Sequence, residues 1–242
     1  MLTLADPMIR QMPLVESANP FVNLETFDER IAVDSSRVLT ESRSDHFLWV
    51  RLEVAERLSV ANRLLRAPFR LLIVEGYRPL AVQRAYFREH MITLRQRYPD
   101  ADEHALIDLA SRWVAPPDVG AHPTGAAVDL TLQRADGSLV DMGGVMNATD
   151  DESSGTCYTS NAFISREAAR HRQILFDAMT AAGFVNYPSE WWHWSYGDRY
   201  WAVCEKQPQA LFGPVEEEAL IEMARSPVSA ISPIGCGTGT SG

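Results

Sequence analysis

Apolar residues recur along this chain with two periods, and the places where the period changes divide it into elements. In RLEVAERLSVANRLLRAP, Leu52, Ala55, Leu58, Ala61 and Leu65 fall at helical spacing, and Pro68 stops the run. FRLLIVEGYRP then reads as a short buried strand, Leu71 to Val74, ending in a glycine-containing turn. Pro79 opens a helix to about Arg97, and Asp100 or Asp102 caps another in DEHALIDLASRWV, which the Pro116–Pro117 pair ends. AAVDLTLQ alternates, with Val128, Leu130 and Leu132 on one face and Asp129 and Thr131 on the other, so it predicts a strand with a polar working face. The turn ADGS followed by LVDM predicts a hairpin partner.

Residues 143–162 are rich in Gly, Ser, Thr, Asn and Asp, and read either as an active-site cover or as a mobile surface loop. SREAARHRQILFDAMTAAGF predicts an amphipathic helix with Ser165 as N-cap and Gly183 at its C-terminal end. SEWWHWSY, bounded by Pro188 and Gly197, predicts an aromatic strand. The division that follows is an extended lead-in over residues 1–20, one domain over 21–218, and a short helix with a disordered tail over 219–242.

Composition narrows the function classes. At 242 residues with 46% hydrophobic side chains, the chain can bury a real core. Its 22 basic against 32 acidic residues give a formal charge of -10, which disfavours nucleic acid and anionic membranes as partners. No basic start precedes an apolar run and no 18 apolar residues are consecutive, so a cytoplasmic protein is expected. Cys157, Cys204 and Cys236 are odd in number and lack a CxxC pair, which leaves nitrogen and oxygen as the donors for any metal.

Three segments hold the polar residues set among apolar neighbours: EGYRP, GAHPTGAAVD and SEWWH. A charge inside an otherwise apolar strand is costly unless it is paired or bound to metal. Catalytic zinc needs three protein ligands and an open fourth position, and His122, Asp129 and His193 supply two imidazoles and a carboxylate. Glu190 is left over to take a proton from water. In a flat strand, residues three apart point to opposite faces, so Glu190 and His193 share a cavity only if the strand bends, bulges or begins after Glu190. His46, His90, His104 and His171 are assigned to solvated faces.

At these residues the chain resembles the D-alanyl-D-alanine dipeptidases, zinc peptidases whose relatives include D,D-carboxypeptidases and the hedgehog zinc domain. The family pattern SxHxxGxAxD stands here as GAHPTGAAVD, ExWH as EWWH, and GYRP unchanged, with looser similarity from about Phe21 to Glu216. The resemblance implies an α+β fold, a small antiparallel sheet carrying the metal and flanked by helices. It implies one zinc per chain on His122, Asp129 and His193, Glu190 as the base, and Arg78 as the partner of the oxyanion. It also implies substrate contacts at Gly120, where the family has serine, and at Asn147, where it has the aspartate near the substrate amine. Losing that aspartate should weaken binding of a free dipeptide by about 1.5–3 kcal/mol unless Asp150, Asp151 or Glu152, in the same loop, substitutes for it.

The function expected is hydrolysis of a small amide, D-alanyl-D-alanine or a related dipeptide. The alternatives are an amidase for an N-blocked or non-peptide small molecule and a zinc-bearing binding module without turnover. Retention of Glu190 and Arg78 argues against the last, since binding alone needs neither.

Overall fold

The computed structural model describes residues 2–34, 36–37 and 44–225, so the expected disordered tail and Cys236 lie outside the described residues. The lead-in carries a short helix, α1 (Pro7–Gln11), capped by Asp6, whose carboxylate accepts from the Met8 N–H. Then come β1 (Phe21–Asn23), α2 (Leu24–Phe27), β2 (Ala32–Val33), β3 (Trp49–Arg51) and α3 (Leu52–Leu64). Of the stripe expected along α3, Ala55, Leu58 and Ala61 are buried, joined by Val54, while Leu52 and Leu65 at its two ends are half-buried.

β4 (Phe69–Glu75) and α4 (Leu80–Arg97) follow the predicted pattern. Asp102 caps α5 (Glu103–Ala110), accepting from the Ala105 N–H. That helix stops at Ala110, before Pro116, and passes into irregular turns in which the Trp113 and Val114 N–H groups both donate to the Ala110 carbonyl.

A 3-10 turn at His122–Thr124 leads into β5 (Ala127–Arg134), the longest strand of the sheet. The hairpin expected after it forms in short form: Gln133 bridges to Leu139, the Arg134 N–H donates to Ser138 and the Val140 N–H to Leu132, and beyond it Asp141 accepts from the Gly143 N–H. Short α6 (Asp150–Ser153) interrupts the polar stretch, and α7 (Arg166–Ala181) starts at Ser165 as expected. After β6 (Val185–Asn186), the aromatic segment pairs only as β7 (His193–Ser195), followed by α8 (Arg199–Cys204) and α9 (Glu217–Arg225).

The main sheet has the order β2-β4-β5-β7-β6, antiparallel throughout except for β2, which joins β4 in parallel; β1 and β3 form a separate antiparallel pair. Leu71, Ile73, Val128, Leu130 and Leu132 pack with Leu58, Leu175 and Met179 of α3 and α7 in the main core. The other face of β5 carries Asp129 and Thr131, both buried, and Asp129 lines a cavity walled in part by residues from 111–122 and 147–149. No helix among the described residues is long and apolar enough to cross a membrane.

Candidate active site

The cavity is built on a row of side chains crossing three strands. Asp129 on β5 pairs with His193 on β7 and, on its other side, with Glu75 at the end of β4, past a register shift between Ile73 and Glu75. Residues directly opposite on adjacent strands put their side chains on one face, close enough to touch. The row therefore holds acid, acid and imidazole, and His122 approaches it from the 3-10 turn before β5.

The donor atoms close into a triangle. Nδ1 of His193 lies 3.0 Å from Oδ1 of Asp129, Nε2 of His122 lies 3.4 Å from the same oxygen, and the two imidazole nitrogens are 3.2 Å apart. Zinc bonds of about 2.0–2.1 Å in tetrahedral geometry place ligand atoms roughly 3.3 Å from one another. The triangle thus has the size zinc requires. It is also the one group of three potential ligands found among the described residues.

The surroundings prepare these atoms as ligands. His122 Nδ1 lies 2.6 Å from the Gly76 carbonyl, which fixes the tautomer with the proton on Nδ1 and leaves the Nε2 lone pair toward the triangle. Gly76 has to be glycine for this approach: a Cβ there would stand 2.9 Å from the Trp49 carbonyl oxygen and from Val50 Cγ1. Burial works to raise the Asp129 carboxyl, but the charges and hydrogen bonds of His122 and His193 outweigh it and hold it below the ordinary carboxylate range.

Glu190 stands beside the triangle, its Oε2 3.8 Å from His193 Nδ1. Of the three geometries expected, the strand begins after Glu190: Glu190 N–H donates to Tyr187, His193 N–H donates to Glu190, and β7 starts at His193. The Asn186 side-chain amide clamps this turn, donating to the Glu190 carbonyl at 3.0 Å and to the His193 carbonyl at 2.9 Å. Burial pushes the Glu190 carboxyl up to about 7, assisted by Asp129 and Glu75 and opposed by His193 and Arg78.

Arg78 lines the same cavity and is held from behind. Its Nε donates to Glu75 Oε1 at 2.7 Å and its Nη1 to Gln83 Oε1 at 3.0 Å, while Gln83 Nε2 donates to the Ala115 carbonyl at 2.8 Å. Burial would lower the guanidinium, yet Glu75 and Asp129 outweigh it and keep it firmly charged. Glu75 is itself buried, and its second oxygen has no hydrogen-bond partner.

Gly120 and Asn147 both line the cavity, with Asn147 in the left-handed region at φ 63°. The polar stretch from 143 contributes Asn147, Ala148 and Thr149 as a wall, so it covers the site as one of its two expected readings required. The acids of that stretch do not line the cavity. Asp151 pairs with Arg97 at 3.3 Å, Glu152 caps α6 through Thr149, and Asp150 accepts from its neighbour's N–H. Apart from Asp129 and Glu190, the acid in the lining is Asp198, buried, with Oδ1 accepting from Ser195 and from the Trp201 N–H.

Arg172 of α7 secures this wall. Its guanidinium donates to the Met142 carbonyl at 2.6 Å, to Tyr158 at 2.6 Å and to Thr156 at 2.7 Å, with the Trp191 ring 5.3 Å away. Sequence reasoning missed Glu75, Gly76, Gln83, Asn186 and Arg172, whose roles depend on contacts far along the chain. The EGYRP segment at least drew attention to the first two. His171 departs from the expected solvated face: it is buried, with Nδ1 2.7 Å from the Asp141 carbonyl, and His46 is half-buried against Glu217. Cys157 and Cys204 are free thiols.

The sequence model of the D-Ala-D-Ala dipeptidases matches residues 41–210. The chain belongs to that family. The D-alanyl-D-alanine dipeptidase of Synechocystis sp. is 30% identical over 184 residues, covering 67% of this chain and 74% of that one. The enzyme of the same name from Enterococcus faecium is 33% identical over 153 residues, covering 60% and 72%. Among solved structures, the VanY D,D-pentapeptidase with Zn(II) aligns with a TM-score of 0.40 at 16% identity, covering 88% of this chain and 98% of that one.

Proposed function

We propose that this chain is a zinc-dependent dipeptidase that hydrolyses D-alanyl-D-alanine or a closely related small dipeptide. His122, Asp129 and His193 hold the metal, Glu190 is the general base, and Arg78 supports the oxyanion. The observation that carries the reading is the triangle of donor atoms 3.0–3.4 Å on a side with Glu190 against its edge. Family membership and the names of the two relatives supply the substrate class.

The chemistry supplied by zinc held there is Lewis acidity, which polarises the scissile carbonyl and lowers the pKa of water from 15.7 toward about 7. The chain's own residues do the rest. Glu190 takes the proton from the attacking water on a carboxylate oxygen and returns it to the leaving amine nitrogen. Burial around Glu190 works to raise its carboxyl, which favours its taking up the proton it must pass on. Arg78, oriented by Glu75 and Gln83, donates to the oxygen that gains charge at the tetrahedral stage. Gly120 and Asn147 contact the substrate along the cavity wall.

The compartment we assign is the cytoplasm, in keeping with the unpaired thiols of Cys157 and Cys204. The test is to incubate the zinc-loaded protein with D,D-, L,D- and N-acylated dipeptides and to read the products by mass. Turnover led by free D,D-dipeptides supports the proposal. Turnover confined to N-acylated amides would replace it with an amidase.

A further inference from the structure

The family match begins at residue 41, yet the cavity is completed by a residue far upstream of it. Leu4 is 8% exposed and lines the cavity, packing with Ile9, Val119, Tyr187 and Tyr200. Tyr187, against which it packs, donates its hydroxyl to the Ser111 carbonyl at 2.9 Å. Tyr187 stands edge-on to His193, ring centroids 6.2 Å apart, so one side chain separates Leu4 from the metal triangle.

The chain that follows Leu4 is fastened at several points. Asp6 caps α1, Ile9 is fully buried, and Arg10 pairs with Asp118 at 3.0 Å while its carbonyl accepts from Arg199. Further on, Leu14 bridges to Ala210, and the Val15 N–H donates to the Ala210 carbonyl at 3.1 Å. The Asp6 N–H also donates to the Thr3 carbonyl at 3.0 Å, so the turn bearing Leu4 is tied to the start of this anchored segment.

We propose that Leu4 is a specificity-determining residue that closes the cavity beside Tyr187 and Tyr200. It restricts the substrate to dipeptides with methyl-sized side chains and excludes bulkier or longer amides. The proposal rests on the dipeptidase reading of the same cavity. An apolar wall discriminates by volume, and the few methylene groups between leucine and alanine change such discrimination by about 10-fold or more.

The experiment compares wild type, Leu4→Ala, Leu4→Phe and, as a control on an exposed α1 position outside the cavity, Met8→Ala. Two ratios are read on zinc-loaded protein of verified folding. One is kcat/KM for D-Ala-D-Leu and D-Leu-D-Ala against D-Ala-D-Ala; the other is affinity for benzylphosphonate against methylphosphonate by calorimetry. Leu4→Ala should raise the bulky-to-small ratio by about 10-fold. Leu4→Phe should lower it, and Met8→Ala should leave it unchanged. A merely structural Leu4 would move both variants the same way, or neither, and that result overturns the proposal. Should wild type hydrolyse no dipeptide, the dipeptidase reading fails on its own, and the phosphonate ratio still decides the role of Leu4.

Discussion

Glu190 Oε2 lies 3.8 Å from His193 Nδ1 because a turn, not a strand, joins the two residues. That turn separates a base from a ligand within one short motif and yields a sharp expectation. Glu190→Ala should bind zinc as wild type does and lose hydrolysis, with metal counted by mass spectrometry and turnover measured on the same sample. Loss of zinc from a folded Glu190 variant would mean that Glu190 is itself a ligand.

The three members of the triangle should behave in the opposite way. His122→Ala, Asp129→Ala and His193→Ala should each fall well below one metal per chain. Adding zinc to the metal-free wild type should raise its melting temperature, since a ligand at 100 times its Kd stabilises by about 2.7 kcal/mol. Differential scanning calorimetry of the variants should show that rise reduced or gone.

Arg78→Ala should lower kcat by about 100-fold to 1,000-fold with zinc retained, the scale for removing one oxyanion donor. Arg78→Lys should recover little, because one ammonium cannot meet Glu75, Gln83 and substrate in the planar arrangement of a guanidinium. Glu75→Gln should show the same loss in milder form, seen in kcat more than in KM. A near-normal kcat in Arg78→Ala would reduce the GYRP turn to a structural role.

Arg172 is charged, buried and bonded to backbone carbonyls instead of to a carboxylate; burial lowers its guanidinium to about 10, still protonated at neutral pH. Charge-assisted hydrogen bonds contribute about 1.5–3 kcal/mol each and are not additive, so Arg172→Met should cost on the order of 3 kcal/mol by chemical denaturation. Limited proteolysis should cut first within residues 143–161. Unchanged stability and cleavage would show that the wall is held by other contacts.

Much of the site was legible because its residues break local rules. His122, Asp129 and His193 are polar groups in apolar surroundings, and the alternation of Val128, Leu130 and Leu132 against Asp129 correctly placed the carboxylate away from the main core. The helices were equally readable where spacing and caps agreed, as at Ser165 and Asp102. What stayed hidden depends on distant chain meeting in space. The Gly76 carbonyl matters only once β4 ends beside the His122 turn, and Asn186 only once β6 pairs with β7. His171 was misplaced for the same reason, its helix face being buried by the loop at Asp141. The LVDM hairpin forms but stays short, and just beyond it the Asp141 side chain takes the Gly143 N–H.

The central claim is that this cavity hydrolyses D-alanyl-D-alanine with Glu190 as base. It is tested most directly by following D-alanine release from that dipeptide with zinc-loaded wild type and Glu190→Ala side by side, at equal measured zinc. Release by wild type and none by the variant is the result predicted here. Equal release by both, or none by a wild type carrying one zinc per chain, would contradict it.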